Sequence, residues 1–286
     1  MSTDAETYVL GVASGTSVEL ANIKIQGTKR GIMIGANGEN SQNISLKLEN
    51  AEIEATDRAI GVMSDSIENL TIDVIDSTIS HGGFTDYNTE YDSKDTRGIA
   101  MWTSSNSTVT IDNSTVQGFA YPLNIAGDSA EGLVFNVDNS AIKGRCAVNS
   151  WCSGATYNFD GCELVSINNQ SGSSEGFAAI VLNTTAADNT VNVNNCNITG
   201  SFNGAGVDNP NATAFITTVR SSGDKITITG DTTYTCLPDK GGLDGMMFAN
   251  APDFKIDQDV YNNMFTEWID GKHTATLSSD GMYALS

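Results

Sequence analysis

The stretch Val109-Thr110-Ile111-Asp112-Asn113-Ser114-Thr115-Val116 decides the fold of this chain. Val109 and Ile111 alternate with polar residues, which is the period of a strand with one buried face. Asn113 ends the alternation, and asparagine is among the few residues that tolerate left-handed backbone angles. Three residues later Val116 is apolar again and is expected to point inward.

The same phrase recurs on both sides of that stretch. Toward the N-terminus it reads Ile72, Val74, Asp76, Ile79, then Leu46, Leu48, Asn50, Ile53, then Val18, Leu20, Asn22, Ile25. Toward the C-terminus it reads Phe135, Val137, Asn139, Ile142, then Tyr157, Phe159, Gly161, Leu164. Val191, Val193, Asn195, Ile198 and Ile226, Ile228, Gly230, Thr233 complete the series. The turn position holds Asn, Asp or Gly in all eight copies, at intervals of 28, 26, 37, 26, 22, 34 and 35 residues. Half of the copies add a glycine five residues after the turn: Gly27, Gly118, Gly144 and Gly200. A second strand is read between copies, as in Gly31-Ile32-Met33-Ile34, Ala59-Ile60-Gly61-Val62 and Gly98-Ile99-Ala100-Met101.

One such copy cannot bury its inward face alone. Copies stacked about 4.8 Å apart pair their backbones and merge their apolar faces into continuous ladders. The pattern therefore predicts an all-β chain, a right-handed parallel β-helix solenoid of about eight coils, with residues 8–239 as the solenoid. Residues 240–286, where the repeat fades, are expected to form a C-terminal cap or a degenerate last coil. Two details follow. Ile111, Val137, Phe159 and Val193 should form one buried ladder, and Asn113 and Asn139 should stack in left-handed conformation.

Composition narrows the partners. The 286 residues carry 14 Lys+Arg against 35 Asp+Glu, a net charge of −21, which repels the phosphate backbone, so no nucleic-acid partner is expected. No apolar run is long enough to span a bilayer, so no membrane insertion is expected. The residues ahead of Tyr8 lack the layout of a signal peptide, and strand-like sequence begins at once, which reads as a segment of a longer precursor. The five cysteines, Cys146, Cys152, Cys162, Cys196 and Cys236, match neither a disulfide framework nor a zinc module, and their pairing stays open. Cys162 and Cys196 follow the turn residue in consecutive copies and should stack, as a disulfide or as a thiol ladder. Eight Asn-x-Ser/Thr sites occur, in a chain rich in all three residue types.

The repeat resembles the right-handed parallel β-helix superfamily, the pectate-lyase-like group, over roughly residues 8–235. That resemblance implies the architecture but not one activity, because the group includes polysaccharide lyases and hydrolases, phage tailspikes and bacterial surface adhesins. The catalytic patterns of its enzymes are missing. None of Pro122, Pro210, Pro238 and Pro252 sits in an Arg-x-Pro-x-x-Arg stretch, and no adjacent Asp pair or Gly-His-Gly occurs. Histidine is limited to His81 and His273, little material for histidine-based proton transfer. No catalytic residue, cofactor or metal is therefore assigned, and the nearest members by this reasoning are non-catalytic surface adhesins.

Three features point to a ligand surface. Four of the five arginines, Arg30, Arg58, Arg97 and Arg145, precede the second strand of their coils, as a basic strip for acidic glycans or as partners of acids such as Asp57 and Asp95. Trp102 and Trp151 both end a second strand, two coils apart, a spacing that suits sugar rings. The insertion from His81 to Asp95 carries Asp86, Tyr87, Glu90, Tyr91 and Asp92, and long loops on solenoids often carry function. The expected binding surface is Asp86, Tyr87, Tyr91, Asp92, Arg97, Trp102 and Trp151, for a polysaccharide or host-surface glycan. The expected setting is extracellular or cell-surface. The alternatives are a polysaccharide lyase or glycoside hydrolase using Asp86, Glu90 or Asp92, and a phage or viral fibre segment.

Overall fold

A computed structural model describes residues 8–36, 38–84, 96–126, 130–168, 179–183, 186–202, 216–217, 223–237, 253–265 and 274–285. Among these the chain is almost entirely β, in one fourteen-stranded and one twelve-stranded sheet. Pairing is parallel except at the C-terminal end, where Tyr283–Leu285 runs antiparallel to Asp253–Ile256 and to Ala275–Leu277.

The twelve-stranded sheet is built by the phrase that opened the sequence reading. Leu20, Leu48, Val74, Ile111, Val137, Phe159, Val193, Ile228 and Ile256 occupy one register position in consecutive strands. The expected ladder is buried: Ile111 and Val137 are 0% exposed, Phe159 2% and Val193 1%. In the parallel column two residues earlier, Phe135 stacks on Tyr157 with ring centroids 5.5 Å apart. The fourteen-stranded sheet has two arms. The long Glu52–Val62 strand joins them, pairing through its first half with Thr78–His81 and through its second half with Arg97–Met101.

The turns explain how one strand hands over to the next. All eight expected turn residues have positive φ, between 47° and 67°. Asn50 Nδ2 donates to Asn22 Oδ1 over 2.6 Å, and Asn113 Nδ2 donates to Asp76 Oδ1 over 2.5 Å, so the turns bond repeat to repeat. A second left-handed series, absent from the sequence reading, stands seven residues earlier in every copy. It comprises Gly15, Asn43, Asn69, Asn106, Gly132, Gly154, Asp188 and Gly223, with φ from 47° to 78°. Four of the eight Asn-x-Ser/Thr sites, at Asn43, Asn69, Asn106 and Asn113, thereby acquire a structural origin as turn residues followed by strand residues.

A further ladder follows the first turn. Ser77 Oγ accepts from Ala51 N, Ser114 Oγ from Ser77 N and Ser140 Oγ from Ser114 N, at 3.0, 2.9 and 3.0 Å. Cys162 and Cys196 continue it: Cys162 N donates to Cys196 Sγ over 3.4 Å, and both thiols donate to carbonyls two residues back. Each buried turn N–H thereby gains an acceptor that the strand ladder does not supply. The stacked pair is thus a thiol ladder, and Cys146, Cys152, Cys162 and Cys196 are all buried.

One expectation is corrected. Thr233, expected at the inward position of the last copy, is exposed, and Tyr234 pairs with Ile198 in the inward column. The cause is one extra residue after Gly230. Thr232, not Asp231, takes the ladder position, accepting from Cys196 N over 3.2 Å and donating to Thr229 O over 2.7 Å.

Candidate functional site

The strip that carries the expected binding residues is the outer side of the second arm. Its strands include Tyr8–Val12, Arg97–Met101, Tyr121–Ile125, Val148–Ser150 and Ile180–Leu182. Leu10, Ile32, Ile60, Ile99, Leu123, Val148 and Ile180 share one register position, and from Ile32 onward all are 0% exposed. The next residue in each strand faces outward: Gly11, Met33, Gly61, Ala100, Asn124, Asn149 and Val181.

At the start of these strands Tyr8, Arg30, Arg58, Arg97 and Tyr121 form a single register column. Of the four arginines expected at this position, Arg30, Arg58 and Arg97 occupy it in consecutive repeats, whereas Tyr121 takes it in the next and Arg145 stands outside the column. Their environments differ. Arg30 forms an ion pair with Asp57 at 2.7 Å and lies 5.6 Å from the centre of the Tyr8 ring. Arg58 runs outward across Gly61, where a Cβ would collide with Arg58 Cδ and Tyr8 Oη. Its Nη1 is 3.2 Å from Tyr8 Oη and 3.2 Å from Met63 Sδ. Its Nε is buried with no hydrogen-bond partner. Arg97 is half-buried in the next repeat. Arg145 is buried against Tyr121, with its guanidinium 4.7 Å from the ring centre and bonded to the phenol oxygen.

At the far end of the same strands the aromatic residues appear. Ala126 N donates to Met101 O and Trp151 N donates to Ile125 O, so Trp102, Ala126 and Trp151 continue the stack in consecutive repeats. The two tryptophans are therefore two strand spacings apart, about 10 Å. Alanine stands between them. Trp102 is 51% exposed, and Trp151 is half-buried. Among the described residues only Val9 and Leu277 are comparably exposed large apolar side chains. Arg97 and Trp102 thus bracket one strand, with Ala100 between them on the outer side.

Asp86, Tyr87, Tyr91 and Asp92 lie outside the described residues, as does Glu90. The segment that contains them enters after His81, whose ring sits edge-on to Phe119 at 5.7 Å, and leaves at Thr96 beside Arg97. Burial lowers the His81 pKa from its ordinary value.

Sequence reasoning missed three features of this face. Met63 precedes Trp102 in the far column and meets Arg58 through its sulfur. Asn149 Nδ2 donates to Asn124 Oδ1 over 2.9 Å and Asn183 Nδ2 to Asn149 Oδ1 over 2.5 Å, an outward amide ladder that is nevertheless buried. Tyr121 packs with Cys146 and Val181 in a small apolar cluster separate from the core. The strip is therefore open around Trp102 and covered beyond Tyr121. The outward alternation of Asn124 and Asn149 was visible in sequence, but nothing local marks an outward residue as covered.

Among the described residues no group of three or more His, Cys, Asp or Glu side chains is placed to hold a metal ion. No described helix is long and apolar enough to cross a membrane. Comparison with family models, curated proteins and solved structures returned no match.

Proposed function

We propose that the chain is a right-handed parallel β-helix of about eight coils that binds a polysaccharide or host-surface glycan at the cell surface, without catalysis. The in-register stacking of every repeat on its neighbour supports the architecture. One observation carries the binding reading. Trp102 is 51% exposed and stacks in register with Trp151 two repeats away, across one strand from Arg97. An exposed indole offers an apolar ring face with a polar edge, and sugars present apolar ring faces beside many hydroxyls. Two indoles about 10 Å apart can engage two residues of one chain.

The test is a glycan array followed by calorimetry on the wild type and the Trp102→Ala, Trp151→Ala double variant. The expected result is a ligand that the double variant loses or binds at least ten-fold more weakly. Unchanged binding by the double variant, or no binding to any array member by the wild type, overturns the reading.

A further inference from the structure

We propose that copies of this chain stack end to end, the Ser17–Ala21 strand of one copy pairing with the Ala275–Leu277 strand of the next. The contact involves neither Trp102 nor the arginine column.

The backbone supplies the first observation. Ser17–Ala21 and Ala275–Leu277 are the outermost strands of the twelve-stranded sheet, at its opposite ends. Among the described residues each pairs on one side only. Thr16 O accepts from Ser45 N and Asn22 N donates to Glu49 O, so these two residues turn their backbone groups toward the second repeat. By the alternation of a parallel ladder, Ser17, Glu19 and Ala21 turn theirs to the open side. Such an edge is a template for another strand.

Strand direction selects the partner. Tyr283–Leu285 runs antiparallel both to Asp253–Ile256 and to Ala275–Leu277. The two reversals give Ala275–Leu277 the same sense as Asp253–Ile256 and the parallel strands before it. A copy in the same orientation therefore brings its Ser17–Ala21 strand alongside as one more parallel pair.

The side chains at the two ends are apolar and uncovered. Val18, Leu20 and Ile25 pack on the core yet are only half-buried, whereas their register partners Leu46, Leu48 and Ile53 are 0% exposed. Three large apolar side chains are exposed among the described residues. Val9, at 59%, lies on the first strand of the chain, and Leu277, at 60%, lies on the outermost strand at the other end. End-to-end stacking removes both ends from water.

Charge favours unlike ends over like ones. Residues 8–36 carry Lys24, Lys29 and Arg30 against Glu19 alone, on a chain of net charge −21. The described C-terminal residues carry Asp253, Asp257, Asp259 and Asp280 against Lys255. Head-to-tail contact brings opposite net charges together, while contact between two like ends opposes charges of one sign. A head-to-tail contact between parallel copies does not close on itself, so the assembly grows with concentration.

The experiment is sedimentation velocity of the full chain from micromolar to millimolar concentration. The expected result is a series of species that lengthens past the dimer as concentration rises and shortens as salt is added. A monomer throughout, or a dimer that does not grow, overturns the inference. Two variants then assign the ends. Val9→Glu with Ala21→Glu makes the first end acidic, and Thr276→Lys with Leu277→Lys makes the other basic, all at exposed positions. Neither variant is expected to assemble alone, and an equimolar mixture is expected to assemble, because each supplies the end that the other lacks. Unfolding of either variant cannot produce that rescue. Assembly by one variant alone at the wild-type level, or no assembly by the mixture, overturns the pairing of these two strands.

Discussion

Asn106 and Asn113 stand seven residues apart, hold the same left-handed φ of 47°, and enclose the Thr108–Asp112 strand between them. Every copy repeats this spacing, with Asn, Asp or Gly at both ends. An ordinary L-residue in this conformation pays about 1–2 kcal/mol, because its Cβ crowds the following carbonyl oxygen. Asn113→Ala is accordingly expected to destabilise the protein by about 1–2 kcal/mol, plus a contribution from the lost bond to Asp76. Asn113→Gly loses the bond alone and should cost less. Urea denaturation of the two variants measures the difference, and an equal loss would show that the backbone angle is not the cause.

Truncation of the ladder should be felt through cavity formation. Ile111 is 0% exposed between Val74 and Val137. Ile111→Ala removes buried apolar surface in a stack whose spacing is fixed by backbone pairing, so the hole cannot close fully. The expected loss is about 2–4 kcal/mol in the denaturation midpoint analysis. Trp102→Ala, on the exposed strip, should change stability by less than about 0.5 kcal/mol.

The thiol ladder makes a chemical prediction. The hydrogen bond with Cys196, and then burial, push the Cys162 thiol well above its ordinary pKa, so it remains protonated. Labelling of Cys162 by a thiol-reactive dye is expected to be blocked in the native state and to proceed in urea. Cys162 also stands in the position that Ser77, Ser114 and Ser140 occupy in earlier repeats. Cys162→Ser should therefore be tolerated. Cys162→Val withdraws the acceptor from the Ser140 N–H and should cost about 1–3 kcal/mol.

Asp112, Asp138 and Asp160 form an in-register column of like charges. Burial, followed by the charges of Asp112 and Asp160, raises the Asp138 pKa. A carboxyl whose folded pKa lies above its unfolded value contributes stability at low pH. That contribution is lost as pH rises from the ordinary carboxylate value through the folded one. Asp138→Asn is expected to gain about 0.2–1 kcal/mol at neutral pH, with a smaller gain at high salt. The neighbouring amides Asn136, Asn158 and Asn192 already bond along the stack at 2.9 and 2.8 Å, so an asparagine has a precedent there. A variant less stable than the wild type at neutral pH would refute the repulsion argument.

Much of the parallel-stranded arrangement was legible because strand and turn have separate local signatures. Val109 and Ile111 carry the period, and Asn113 carries the backbone angle. The second turn series was equally legible in principle. Asn106 precedes Asn113 as Asn43 precedes Asn50, but no apolar position marks the earlier turn, so the eye passes over it. The error at Thr233 shows the opposite limit, since a turn longer by one residue shifts every later side chain to the other face.

The inward ladders, the turn residues and the alignment of Arg30, Arg58 and Arg97 follow from residue order, because each depends on phase within a repeat. The intervals of 22 to 37 residues did not disturb this, since inserted residues leave the chain between strands and return it in register. What those aligned residues meet depends on packing between repeats. Arg30 finds Asp57 while Arg58 finds a phenol and a thioether. Trp102 is exposed while Asn124, one repeat on, is covered. The physical reason is that neighbours on the outer face lie one strand spacing apart in space but tens of residues apart in sequence.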